Sequence, residues 1–229
     1  MIRVQAFLIV VVALMFGWSA SAYAKSYGAK ICSTPEYSCY KVKKGDTWEK
    51  LFPDDNQREI ARKVNRMNIK LRSGMTIAIP NEFGSSFMDH SPFPYRTAAS
   101  GDKFIYVSLS DFAFAAYDEH GNLKRWGPIS SGKSYCADIG RSCRTPSGEF
   151  TIYSKRGPNC KSSKYPLGKG GAPMPYCMFF KGGYAMHGSY RVPGYNDSYG
   201  CVRLFVDDAK WLDTKFTKGE SRVPVIIRR

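Results

Sequence analysis

Seven cysteines, at positions 32, 39, 136, 143, 160, 177 and 201, constrain this 229-residue chain more than any other feature. Their number is odd, so at least one thiol stays outside any set of bridges within the chain. Six fall into sequence-local pairs, Cys32 with Cys39, Cys136 with Cys143 and Cys160 with Cys177, while Cys201 stands apart. Six cysteines permit 15 pairings, and the nearest-neighbour set is the expectation. Each such bridge closes a short loop and is worth on the order of 2–3 kcal/mol when unstrained.

Disulfides imply an oxidising compartment, and the N-terminus agrees. Val4 to Trp18 is a short apolar run behind Arg3, and Ala20-Ser21-Ala22-Tyr23-Ala24 offers A-x-A spacing twice. Residues 1–24 therefore read as a cleaved signal peptide. The run is short for a membrane span, and none is expected after cleavage; the alternative is an uncleaved N-terminal anchor, and either way the body of the protein is exported. The expected location is the periplasm or cell envelope. About 205 residues then remain, enough for one mid-sized domain plus a small one.

Lys and Arg number 34 against 19 acidic residues, a net charge of +15. Outside the cell such a surplus favours envelope polymers and lipid headgroups. Lys41, Lys43, Lys44, Arg58, Arg62, Lys63, Arg66, Lys70 and Arg72 are scattered, without the interleaved aromatics that single-stranded nucleic acid needs. They read as a solvated basic surface, and no nucleic-acid partner is expected.

Behind a disulfide-bearing segment, 25–39, residues 40–80 form a compact unit. Tyr40-Lys41-Val42 alternates as a strand, Asp46 or Thr47 can cap the amides that follow, and Ile60 and Val64 share a helical face. Thr76-Ile77-Ala78-Ile79-Pro80 alternates again. The pattern Tyr40-x-Val42-x-x-Gly45-Asp46-Thr47-Trp48, with Asn65 or Asn68 and then Leu71-x-x-Gly74-Met75-Thr76-Ile77 and Ile79-Pro80, resembles a LysM module. The resemblance implies a βααβ fold that binds N-acetylglucosamine-containing glycans such as peptidoglycan. Trp48 replaces the aliphatic residue usual there and either packs inward or offers a platform for sugar. Residues 81–102 read as a linker, with Phe83, Phe87 and Phe93 available to dock on its neighbours.

From residue 103 to 229 the signals are mainly β. Strands are expected at 104–109, 112–117, 124–126, 148–153, 177–181, 184–187 and 223–227, and one helix where Asp207 and Asp208 precede Ala209 to Phe216. His187-Gly188 and Ser198-Tyr199-Gly200-Cys201-Val202-Arg203 supply one imidazole and one thiol, the minimum for acyl transfer through a thioester. A free thiol with a pKa of about 8.5 is mostly protonated at neutral pH, and an adjacent imidazolium lowers that value. No C-x2-C or H-x3-H spacing accompanies His187, Cys201 and Cys177, so neither metal nor cofactor is expected.

Thr145-Pro146-Ser147-Gly148-Glu149-Phe150, His187-Gly188 and Ser198-x-Gly200-Cys201-Val202-Arg203 resemble the YkuD-type L,D-transpeptidase catalytic domain. That resemblance implies a β-sandwich with one or two helices, peptidoglycan stem peptides as substrate, and cysteine acyl transfer. It makes Cys201 the nucleophile, His187 the base and the Gly188 carbonyl the group that orients the imidazole. The amides of Tyr199, Gly200 and Cys201 become the oxyanion donors. Arg203, Ser198 and Tyr184 are the expected substrate contacts, Arg203 either holding a carboxylate or bracing its loop. Two departures stand out: Tyr199 occupies a position where most members carry histidine, and the 14-residue spacing from His187 to Cys201 is short. The acyl acceptor is a stem peptide, water in a carboxypeptidase, or a protein amine in covalent anchoring. The rival reading is a wall-binding scaffold with a vestigial cysteine.

Overall fold

The computed structural model describes residues 26–164, 171–220 and 222–229; the segment read as a signal peptide lies outside them. Helix α1 (Tyr27–Ile31) leads into strand β1 (Tyr37–Lys41), helices α2 (Trp48–Leu51) and α3 (Asp55–Val64) and strand β2 (Thr76–Pro80). β1 and β2 pair antiparallel as a two-stranded sheet, and a Cys32–Cys39 disulfide ties α1 to β1. Local chemistry sets the helix starts. Thr47 accepts the Lys50 amide at the head of α2, and Asp54 accepts that of Gln57 at the head of α3. Trp48 packs inward with Val42, Phe52, Ala61, Met67 and Ile77, its Nε1 donating to the Ile69 carbonyl at 2.9 Å. It is a core residue here, not a sugar platform.

The following segment is docked along its length. Phe83 meets Phe52, Phe87 meets Trp126 and Phe93 meets Tyr106, each edge to face.

The remainder is mainly β with few helices, as the sequence led us to expect. Its strands are β3 (Phe104–Ser108), β4 (Ala113–Tyr117), β5 (Leu123–Ser130), β6 (Gly148–Ile152), β7 (Ser154–Lys155), β8 (Met178–Lys181), β9 (Tyr184–Gly188), β10 (Val202–Leu204) and β11 (Val223–Arg228). Helix α4 (Val206–Trp211) runs into a wider turn, Leu212–Phe216, before β11. The sheet order is β6-β11-β3-β4-β5-β10-β9-β8-β7. β6 and β7 follow one another in the chain yet lie at opposite ends of that order, so residues 148–155 link the two edge strands and fold the sheet onto itself. One core fills the space between the halves: Ile105, Val107 and Phe114 from one, Met178, Met186, Val202 and Leu204 from the other, and Ala209 and Leu212 from the helix.

The two units meet through charge enclosed by aromatic rings. Lys63 of α3 is 2% exposed and Asp208 of α4 is fully buried; Lys63 Nζ donates to both Asp208 oxygens at 2.9 Å. Arg125 Nε donates to the same carboxylate at 2.7 Å. The Phe87 ring lies under Lys63 Nζ, 4.2 Å from its centroid. Gly127 is required where it stands, because a Cβ there would come within 2.4 Å of Asp208 Oδ2. Arg66 is buried as well, donating to the Asp111 carbonyl at 3.0 Å and sitting over the Tyr27 and Trp126 rings. Lys63 and Arg66 thus depart from the solvated basic surface that charge patterning suggested. Nothing in their spacing along the chain marked them as buried, and residues distant in sequence, Asp208, Asp111 and Trp126 among them, enclose them.

Replacing Asp208 by Asn leaves the buried Lys63 with only the surface carboxylate of Glu59, 3.8 Å away, so Asp208→Asn is expected to lose about 3–5 kcal/mol of unfolding free energy. Lys63→Met, of similar volume and without the buried cation, should lose much less. Urea titration of both variants against the parent chain checks the order.

Candidate active site

The site grows from one parallel pairing. β10 lies beside β9 with Val202 opposite Met186, Arg203 opposite His187 and Leu204 opposite Gly188. Side chains alternate along a strand, and Met186, Val202 and Leu204 point into the core. Ala185, His187, Cys201 and Arg203 therefore share the opposite face, with the thiol diagonal to the imidazole, an offset that ring-sized side chains can span.

His187 is 5% exposed, and its Nδ1 lies 2.9 Å from the Gly188 carbonyl. A carbonyl only accepts, so Nδ1 carries the proton and Nε2 holds the lone pair. Burial drives the imidazole pKa down from its ordinary 6.5 to about 4; the Gly188 bond opposes this and the Arg203 charge reinforces it. Cys201 is the one free cysteine and is half-buried. It packs on the Cys160–Cys177 disulfide and Ala185, with Sγ 3.8 Å from the Gly183 carbonyl. Burial pushes the thiol up, against the Ala185 amide hydrogen-bonded to it and the Arg203 charge.

Both groups are therefore neutral at pH 7. The thiolate–imidazolium pair that sequence reasoning favoured is not the resting state, because desolvation outweighs the nearby dipoles. No hydrogen bond joins Sγ to the ring among those of the described residues.

The loop leading to Cys201 uses its polar groups internally. Ser198 is buried; its hydroxyl donates to the Cys201 carbonyl at 2.6 Å and accepts the Gly200 amide at 3.0 Å. Two expectations change accordingly. Ser198 braces the loop and does not face a substrate, and the Gly200 amide is already committed when an oxyanion would need it. Gly200 has φ +124°, and a Cβ on it would meet Tyr184 Cε1 at 2.5 Å. Tyr184 thus walls the cleft against the glycine.

Tyr199 stands where histidine was expected, and its hydroxyl donates to the Asp138 carboxylate. The Lys133 ammonium covers its ring at 4.9 Å. That side chain is tied to the loop closed by the Cys136–Cys143 disulfide. Arg203 Nη1 donates to Asp197 Oδ2 at 3.0 Å, which is the bracing arrangement.

Thr145 was missed as a site residue. Its buried hydroxyl donates to the Gly200 carbonyl at 2.7 Å and accepts the Gly132 amide at 2.9 Å, holding the turn before Cys201 from beneath. The signal was present, since Thr145 opens the Thr-Pro-Ser-Gly motif.

The family pattern for YkuD, the L,D-transpeptidase catalytic domain, matches residues 102–227. Among solved structures the chain is similar to an L,D-transpeptidase of Xylanimonas cellulosilytica at 26% identity, covering 76% of this chain and 79% of that one with a TM-score of 0.54. It is also similar to that of Enterococcus faecium, at 24% identity, 56% and 50% coverage and a TM-score of 0.44. For the enzyme of Stackebrandtia nassauensis the values are 21%, 64%, 62% and 0.46. No curated protein sequence matches the chain.

His187 titrates at about 4 when folded and near 6.5 when unfolded. Between those values the unfolded chain binds the extra proton, so stability falls as the pH drops from 6.5 toward 4. Urea titrations at pH 7.5 and pH 4.5 should show a loss about 2–3 kcal/mol larger for the parent chain than for His187→Gln. Equal losses would show that this imidazole is not buried neutral.

Proposed function

From the premise that this chain belongs to the YkuD family of L,D-transpeptidases, we propose that it is an exported enzyme that forms a Cys201 thioester with a peptidoglycan stem peptide and passes it to an amine. The family is one of cysteine acyltransferases; the residue roles and the substrate are the present reading. The observation that carries it is the tautomer of His187. With Nδ1–H held by the Gly188 carbonyl, Nε2 is the basic nitrogen on the face it shares with Cys201.

The neutral resting pair dictates the sequence of events. As a donor carbonyl comes against Sγ, Nε2 takes the thiol proton while sulfur bonds to the carbonyl carbon, and the C=O electrons move to oxygen. Charge separation is thereby deferred until a substrate oxyanion is there to balance the imidazolium, which suits a site where desolvation is costly. The Gly200 amide is occupied by Ser198, so the Cys201 amide is assigned as the oxyanion donor, with Tyr199 beside it. Such a donor is worth roughly 2.7–4 kcal/mol in the transition state. Collapse breaks the C–N bond, His187 returns the proton to the departing amine, and the thioester remains. An incoming amine then attacks the thioester and His187 takes its proton; the C–S bond breaks, and His187 passes that proton to the departing sulfur to give back the thiol.

Three disulfides fit an oxidising compartment, and residues 1–24 are assigned as the signal that delivers the chain there. Residues 40–80, with strands β1 and β2 flanking α2 and α3, are assigned as a LysM-like module that holds glycan strands near the cleft and so raises local substrate concentration. Transfer to water or to a protein amine uses the same thioester. The scaffold alternative leaned on Tyr199, yet that side chain is engaged with Asp138 and leaves thiol and imidazole on their common face.

Purified muropeptides incubated with the enzyme and followed by mass spectrometry should give a crosslinked product, together with a thioester adduct on Cys201 at early times. Cys201→Ala should abolish both. Only shortened stems would point to water as acceptor, and a product that persists in Cys201→Ala would remove the sulfur from the mechanism.

A further inference from the structure

We propose that Asn68, a residue of the N-terminal unit that touches no reacting atom, is a positioning residue for acyl transfer, fixing the loop that joins His187 to Cys201. The proposal rests on the acyl-transfer reading above.

Loop 189–201 is pinned in two halves by two different parts of the chain. Residues 195–198 are fastened to their own domain. Ser130 Oγ donates to the Tyr195 carbonyl at 2.7 Å, and Ser131 Oγ to Asn196 Oδ1 at 2.6 Å. The amides of Asp197 and Ser198 donate to the Ser131 carbonyl at 3.1 and 3.0 Å. Residues 189–194 are held instead by the N-terminal unit. Asn68 Nδ2 donates to the Ser189 carbonyl at 2.7 Å, and the Val192 amide donates to Asn68 Oδ1 at 2.8 Å. The Asn68 amide donates to the Val192 carbonyl at 2.9 Å, and the Tyr27 amide to the Gly194 carbonyl at 2.8 Å. Met67 and Pro193 form a β-bridge between these contacts.

One asparagine therefore grips the loop at two residues, Ser189 and Val192, with three bonds. Its side-chain amide offers a donor and an acceptor on one short fork, which Asp and Ala do not. From that grip a continuous path of contacts leads to the chemistry. Arg191 Nε donates to Asp197 Oδ2 at 2.6 Å, Arg203 Nη1 donates to the same oxygen at 3.0 Å, and Arg203 is the register partner of His187. A parallel pair of strands needs a connection of about a dozen residues. This loop is close to that lower limit, so a shift at Ser189–Val192 has little slack to absorb it before Cys201.

The test is the second-order rate at which imipenem, whose lactam carbonyl is open to thiol attack, acylates the full chain, read by intact mass and compared with melting temperature. Asn68→Ala should acylate about tenfold more slowly, since small displacements of reacting groups carry rate penalties of this order or larger, while melting within a few degrees of the parent. Asn68→Asp keeps the acceptor but sets a carboxylate against the Ser189 carbonyl, and should slow the reaction as well; it carries the comparison if Asn68→Ala does not fold. Ile77→Val, in the core of the same unit, should lower the melting temperature and leave the rate unchanged. A rate within twofold of the parent for the Asn68 variants, or a loss matched by Ile77→Val, overturns the proposal. A parent chain that, like Cys201→Ser, forms no adduct overturns the acyl-transfer reading and this inference with it.

Discussion

The parallel pairing of β9 with β10 is the constraint on which the rest of this structure depends. It sets Arg203 beside His187 and brings Cys201 onto the same face, and it forces residues 189–201 to cross from one end of the strand pair to the other. Two parallel strands joined by so short a connection leave that connection stretched over the sheet. The bracing found around it follows from this demand: Ser198 bonded twice within its own turn, Thr145 beneath Gly200, and Asp197 shared between Arg191 and Arg203.

Much of the fold was legible because it is written in local chemistry. The strands around Ile105, Phe114, Phe150, Phe179 and Val225 announce themselves by composition, and the three disulfides join cysteines near in sequence. β10 was not legible as a strand, since Val202–Leu204 is too short to carry periodicity. That His187 and Cys201 come together was readable from their motifs, but their protonation was not. Whether His187 is charged depends on how completely strands distant in sequence enclose it, and spacing along the chain does not encode that. The commitment of the Gly200 amide to Ser198 escaped for the same reason, as did the partnership of Thr145 with Gly200 across 55 residues.

The strongly basic composition takes on a different meaning once the interface is seen. Part of the surplus is not presented to polyanions at all. Lys63 and Arg66 are sealed between the units, one against Asp208 and Phe87, the other against Tyr27 and Trp126. Buried cations need partners in defined directions, so they tie the docking of the N-terminal unit to one arrangement, where apolar contact alone would tolerate sliding. The module is then part of the architecture around the cleft as well as a candidate anchor to polymer.

The seam made by residues 148–155 carries a consequence for how the molecule comes into being. β6 finds its ladder only on β11, which inserts between it and β3, parallel to one and antiparallel to the other. Val223–Arg228 follow every other strand of this sheet in sequence, so the strands before them wait with an open flank. A chain assembled from its first residue onward thus keeps this sheet unclosed until that stave arrives, and the Cys201 thiol spends that interval in a half-built enclosure beside six other cysteines.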